Sequence, residues 1–178
     1  MAEFVMGDLG PCAVSFKGTS LGSNLSVSFT YAEDTADVKT AATGTTPIDK
    51  IYTGSSCGAV VQMTQSTLEQ LEAVCPNATV TGDELMVSTG VGDAMVAEKS
   101  GKLEITRVKN GAASTDATQV ITIFVAAPQP NINWTFDDSS QRVAEVTFVG
   151  FPAQEDGDSP DTYSAGDLWA IGYGETSV

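Results

Sequence analysis

The 178-residue chain contains no histidine, only eight Lys plus Arg against 23 Asp plus Glu, and three cysteines. Without imidazole, no Ser-His-Asp or Cys-His nucleophile can be assembled and no histidine metal site exists. The shortage of basic residues leaves a net charge of −15 and a pI near 4.1. Direct clamping of a phosphate backbone draws its affinity from many Lys and Arg contacts that release counterions, so it is not expected here. Cys12, Cys57 and Cys75 are odd in number and lack C-x-x-C spacing, which points to buried reduced thiols rather than a disulfide framework or a thiolate zinc site. No apolar run is long enough to span a membrane. The opening Met-Ala-Glu-Phe-Val-Met-Gly-Asp lacks the basic and apolar regions of a signal peptide, and a product that stays in the cytosol is expected.

What is present suits one globular domain over residues 1–178, with 1–11 as an N-terminal arm lacking any sustained period. Hydrophobic residues make up 42% of the chain, enough to bury a real core. The acidic surplus favours solubility and is equally compatible with a surface that repels DNA; charge alone does not separate the two.

One motif invites an enzymatic reading. Gly54-Ser55-Ser56-Cys57-Gly58 spells G-x-S-x-G, the nucleophile elbow, which needs a strand before it, a helix directly after it and a histidine base. The base is missing, and Ala59-Val60-Val61-Gln62-Met63 is β-like, so a small-residue turn between strands is expected instead.

The periodicity is mostly that of strands. Cys12, Val14 and Phe16 alternate, and after a turn near Lys17-Gly18-Thr19 so do Leu25, Val27, Phe29 and Tyr31; this reads as two half-buried strands joined in a hairpin. Residues 32–47 are polar and rich in Thr and Ala, a loop of about sixteen residues, long enough to be functional. Ser66-Thr67-Leu68-Glu69 forms an S/T-x-x-E capping box opening a helix over about 66–75, with Leu68, Leu71 and Cys75 on one face, Val74 beside them, and Pro76 ending the run. Residues 77–100 suggest one or two short strands. Strands are then expected around Leu103 and Ile105, over 120–127, around Ile132, Trp134 and Phe136, over 143–151 and over 168–173, with turns at Asn110-Gly111 and 137–140. Val120 to Val125 is apolar on both sides, as in a central strand covered on both faces.

Other constellations are weaker. The acidic loop 154–161 offers oxygen ligands for calcium but lacks EF-hand spacing, and reads as a solvated loop. Gly90-Val91-Gly92 lacks the third glycine and the helix of a dinucleotide site. Three N-x-S/T sequons, at Asn24, Asn77 and Asn133, are chance matches without a secretory signal. Trp134 and Trp169 lie within apparent strands and are read as core or subunit-interface packing.

Taken in order, several segments resemble the tail tube proteins of tailed bacteriophages, a family related in fold to the tubes of contractile injection systems. They are Gly18-Thr19-Ser20-Leu21-Gly22; Gly44-Thr45-Thr46-Pro47-Ile48-Asp49-Lys50-Ile51 with Thr53-Gly54; the capped helix around Leu68 to Leu71; Lys102-Leu103-Glu104-Ile105; Arg142-Val143-Ala144-Glu145-Val146-Thr147-Phe148; and Gly166-Asp167-Leu168-Trp169-Ala170-Ile171-Gly172. The resemblance covers nearly the whole chain. It implies a mainly β fold, a β-sandwich or rolled β-barrel with one flanking helix and the 32–47 segment as a long assembly loop. It further implies a non-enzymatic structural protein of the virion tail, assembled in the host cytoplasm without a membrane anchor. Its homo-oligomer is a stack of hexameric rings through which DNA passes without specific binding, and tape-measure and tail-terminator proteins are its implied partners. No catalytic residue, metal or cofactor is implied. The loop would reach a neighbouring subunit, which makes Glu33, Asp34, Asp37, Lys39, Thr40, Thr45, Asp49 and Lys50 the expected interface residues. An inner tube of a contractile injection or secretion system and a tail-completion protein are alternatives with the same fold. A calcium- or carbohydrate-binding β-domain is a more remote one.

Overall fold

The computed structural model describes residues 11–22, 24–42, 44–63, 67–109, 111–134, 143–157 and 163–173. Its strands are β1 (Cys12–Phe16), β2 (Thr19–Ser20), β3 (Asn24–Val38), β4 (Asp49–Met63), β5 (Ala78–Thr81), β6 (Glu84–Val87), β7 (Gly101–Lys109), β8 (Ala112–Ala113), β9 (Val120–Ile132), β10 (Ala144–Phe151) and β11 (Trp169–Ile171). The helix α1 is Leu68–Val74, and Met95–Lys99 forms a π-helical turn. The mainly β class with one flanking helix is thus as the sequence indicates. Residues 1–10 of the expected 1–11 arm, the 137–140 turn and Ser66 lie outside the described residues.

Nine strands form one sheet of order β2-β1-β7-β9-β10-β4-β3, with β8 paired to β7 and β11 to β9; β5 and β6 form a separate hairpin. All the pairings are antiparallel. The sheet rolls, so that β1 approaches β3 from the opposite end of the strand order and the Asn24 amide donates to the Cys12 carbonyl at 3.3 Å. Phe16 of β1 meets Phe148 of β10 with ring centroids 5.1 Å apart, although two strands separate them in the sheet. Val14, Val61, Met63, Leu103, Ile123 and Val146 complete this buried interior. The twist of antiparallel strands makes such curling natural, and it allows one sheet to enclose its own apolar face.

The central-strand reading of residues 120–125 holds: β9 lies between β7 on one edge and β10 and β11, end to end, on the other. Its second face is covered by Phe124 packing on Tyr163 and Tyr173 at 4.7 and 5.0 Å. The final strand is β11. Residues 77–100 yield the β5–β6 hairpin and the π-helical turn, and the loop after β6 is stapled by Asn77. With its amide oriented by the hydrogen-bond network, Asn77 donates to Asp93 Oδ2 at 3.1 Å and accepts from the Gly90 amide at 3.2 Å.

Four expectations are corrected. First, β1 and β3 are not a hairpin. Lys17 and Gly18, at φ 51° and 77°, make the tight two-residue turn that folds β1 onto the short β2. Leu21 then plugs the core and Gly22, at φ 73°, redirects the chain, so β3 pairs with β4 instead. Second, Gly54 to Gly58 is not a turn but the middle of β4. Its small residues serve close approach: a Cβ on Gly58 would lie 2.8 Å from the Phe148 carbonyl oxygen. Ser56 therefore sits mid-strand opposite Ala32, without elbow geometry. Third, the helix is capped one residue later, by Thr67 and Gln70 rather than Ser66 and Glu69. Gln70 Oε1 accepts from the Thr67 amide at 3.0 Å while its Nε2 donates to the Ser20 carbonyl at 3.2 Å. A carboxylate cannot do both, so the amide wins the capping position. Fourth, the loop expected over 32–47 is strand in its first part: β3 runs on to Val38, and only the segment between it and the start of β4 at Asp49 is loop. Cross-strand pairing overrides the weak strand propensity of Ala and Asp there.

Gly150 is the tightest point of the core ladder. A Cβ there would lie 2.2 Å from Cys57 Sγ and 3.0 Å from Ile123 Cγ2, whereas one on Gly54 would meet nothing within 4 Å. Gly150→Ala is expected to cost about 1–3 kcal/mol by overpacking, and Gly54→Ala to fall within about 0.5 kcal/mol of the parent. Urea unfolding of the two variants checks the contrast.

Candidate functional site

β4 is paired on both sides from Cys57 to Met63, with β3 on one edge and β10 on the other. Beyond Cys57 its partner is β3 alone, so residues 32–38 and 49–56 form a two-stranded arm leaving the rolled sheet. A bulge falls between Asp34 and Thr35, where Thr53 is the extra residue opposite them. The tip spans 39–48, and Ile48 closes it by donating its amide to the Val38 carbonyl at 2.9 Å.

Register sets what the arm presents. Tyr31, Glu33, Thr35 and Asp37 share one face with Ser55, Tyr52 and Lys50. Ala32, Asp34, Ala36 and Val38 share the other with Ser56, Gly54, Ile51 and Asp49. Nearly the whole arm is solvent-facing, and Ile48, Ile51 and Tyr52 are 55%, 59% and 57% exposed. At the root, Trp169 of β11 packs on Phe29 and Tyr31 at 4.9 and 5.4 Å, tying the arm to the core. The Tyr31 hydroxyl donates to Glu33 Oε1 at 2.9 Å, and that bond is the main reason its pKa is raised.

All eight sequence-predicted interface residues fall on this arm. Glu33, Asp34 and Asp37 lie on β3, Lys39, Thr40 and Thr45 in the tip, and Asp49 and Lys50 at the start of β4. The ladder sets Asp37 opposite Lys50, and Lys39 makes an exposed ion pair with Asp37 at 3.6 Å. Glu33 and Asp34 stand apart from that group, nearer the root. The residues line a ribbon and do not converge on a pocket. The sequence reading left out Tyr31, Ile51 and Tyr52, large side chains that the arm also exposes. The β-branched and aromatic pair Ile51-Tyr52 following Pro47 was the available signal of a strand with an apolar outer side.

No group of three or more metal-ligating side chains is assembled among the described residues. In the acidic loop, Asp156 Oδ1 accepts from the Ala165 amide at 2.7 Å, an internal staple; Asp158 and Asp161 lie outside the described residues. An open groove of about 260 Å³ lies beside α1, lined by Lys17, Glu72, Cys75, Glu98 and Lys99 among others. Burial and the neighbouring Lys99 lower the Lys17 pKa, but the groove's charges are of both signs. Trp134, 37% exposed, follows the end of β9, and Trp169 is half-buried in the root cluster. No protein-family model and no curated protein matches the chain.

The three cysteines are free thiols, Cys57 and Cys75 buried and Cys12 half-buried. Burial pushes the Cys57 thiol up to about 11 and raises Cys75 as well. With a pKa near 11, only about one Cys57 in a thousand is thiolate at pH 8. Thiol titration at that pH is expected to modify at most Cys12 in the native protein and all three in denaturant. Because the folded pKa of Cys57 exceeds its ordinary value of 9.0, its contribution to stability is complete below pH 9 and is lost as pH rises toward 11. Melting curves across that window are expected to fall more steeply for the parent than for Cys57→Ala.

Proposed function

We propose that this chain is a self-assembling structural subunit of the tail-tube kind, forming hexameric rings that stack into a conduit for DNA in a virion tail. The observation that carries the reading is the arm: a two-stranded ribbon with exposed apolar side chains, standing off a sheet that is otherwise closed on its own core. An isolated two-stranded ribbon is marginal in water, and long open edge strands are covered in most soluble proteins. Both facts favour a second copy as the arm's partner. Among the described residues β3 is the terminal strand of the sheet, so over the arm, away from β1, its edge offers backbone groups for sheet extension between subunits.

Charge supports the conduit. Six copies at −15 each would line or surround a lumen with carboxylates, and a wall that repels phosphate lets DNA slide rather than adhere. The role asks for no catalytic residue, metal or cofactor.

The test exploits the ladder itself. Ala32 and Ser56 face each other across the root, so replacing residues 33–55 by Asn-Gly closes the hairpin there with a favoured two-residue turn. The shortened chain is expected to melt cooperatively and to sediment as a monomer, while the parent forms rings or tubes in negative-stain electron microscopy. A parent chain that stays monomeric at high concentration, or an armless one that builds tubes of normal length, would refute the proposal.

A further inference from the structure

The bulge at Thr53 decides which side chains the distal arm turns to which side. From Val61 to Gly54 the residues of β4 alternate in step with β3. Cys57 and Ser55 therefore share one side with Phe29, Tyr31 and Glu33, the inner side that is continuous with the buried core. A straight ladder past Asp34 would set Tyr52 opposite Ala36 and Ile51 opposite Asp37, with Tyr52 and Lys50 on the outer side. Thr53 is instead an extra residue, and beyond it Tyr52 stands opposite Thr35 and Lys50 opposite Asp37. One residue thus turns Tyr52 and Lys50 inward and Ile51 and Asp49 outward.

Two properties collect on the inner side. The first is an aromatic row. Trp169 packs on Phe29 and Tyr31, and Tyr52 extends the row up the arm. The Tyr31 pKa is raised first by the bond to Glu33 and in smaller part by Tyr52, so the two phenols stand within electrostatic reach. Exposure grows along the row, from half-buried Phe29 and Trp169 to Tyr31 at 39% and Tyr52 at 57%. The second property is charge. Residues 31–52 hold six charged side chains, Glu33, Asp34, Asp37, Lys39, Asp49 and Lys50. On the inner side Glu33 and Asp37 are balanced by Lys50 and by Lys39, which pairs with Asp37. The outer side holds Asp34 and Asp49 and no Lys or Arg. In the straight ladder Asp49 would join Glu33 and Asp37, and Lys50 would leave them. For copies that each carry −15, contact costs least where the charges already cancel.

We infer, on the assembly reading above, that Thr53 is a specificity-determining residue: its bulge gathers Trp169, Tyr31 and Tyr52 on the charge-balanced side of the arm, and that side takes hold of a second copy. Tyrosine suits such a contact, because it covers a large area while immobilising only two side-chain torsions. Ile51, next in sequence and 59% exposed, lies on the acidic outer side and stays in solvent.

Four variants of the full chain separate side from exposure. Tyr52→Ala is expected to lower elongation about tenfold or more and Ile51→Ala to leave it within about threefold of the parent, read by light scattering and electron microscopy. A threonine inserted between Asp34 and Thr35 gives Thr53 a partner and keeps Thr35 opposite Tyr52 and Asp37 opposite Lys50, yet turns the distal ribbon over. This variant is expected to lose elongation as Tyr52→Ala does. Deleting Thr53 removes the bulge but keeps the same partners on the same sides, and elongation is expected to persist. A second measurement does not depend on elongation. In a Cys12→Ser, Trp134→Phe background, a nitroxide on Tyr52→Cys is expected to quench Trp169 fluorescence, less so after the insertion and equally after the deletion. Equal losses from the two alanine variants, an insertion that elongates like the parent, a deletion that abolishes elongation, or quenching unchanged by the insertion would each overturn the inference. The assembly reading survives those results, and it falls only if the parent itself forms no higher assembly.

Discussion

The two-sided pairing of β4 is the constraint on which the rest depends. From Cys57 to Met63 this strand is locked between β3 and β10, and its inward residues Ala59, Val61 and Met63 are buried. The lock requires close backbone approach, which Gly58 and Gly150 permit by having no Cβ to strike the Phe148 carbonyl and the Cys57 thiol. At Cys57 the β10 partner ends, and the same strand continues with β3 alone. A single register therefore places the core and aims the arm, and a slip of one residue would exchange the buried and exposed sets of both at once.

The root reinforces this coupling. Trp169 comes from the last strand of the described chain and packs against Phe29 and Tyr31 of β3, so the arm's direction is fixed by residues 138 to 140 positions away in sequence. β11 in turn is held by pairing to β9, whose other face is sealed by Phe124, Tyr163 and Tyr173. Long-range closure of this kind anchors the root of the arm to the core. An anchored element loses less conformational entropy when it docks.

This division also explains what could be read in advance. Period-two alternation identified β1, β10 and the start of β3, because burial on one face imposes it directly, whereas β9 was legible as a run apolar on both sides over its first half and its continuation to Ile132 was read as a separate strand. The helix was legible from its leucines and Pro76, although its cap was displaced by one residue since Gln70 serves a tertiary contact with Ser20 that no local pattern reveals. The arm was the main failure. Both faces of residues 32–38 are open to solvent, so no core selects apolar residues there, and a strand without a buried face writes no alternation into its sequence. The eight residues expected at an interface nonetheless all fall on it, since the polar segment between two patterned regions marks where the chain leaves the core. Pairing partners were not legible at all: the choice of β4 over β1 as the neighbour of β3 turns on Leu21 and Gly22, a plug and a positive-φ residue that resemble any loop.

Charge and surface together bear on how a subunit of the proposed kind would remain unassociated before assembly. Two copies at −15 repel, and in the proposed assembly one arm resting on a neighbouring copy would bury only a handful of side chains. The loss of translational and rotational freedom on association is estimated at about 4–15 kcal/mol, so a contact of that size does not hold two free monomers together. In the proposed ring, six such contacts form between the same two bodies, and after the first the others are intramolecular, with an effective concentration set by the rigid geometry of the ring. Weakness in each contact is then an advantage: it suppresses premature pairing while the sum still secures the stack. It also requires the six arms to be presented in register, which a flexible loop would not do and a ribbon continuous with the core sheet does.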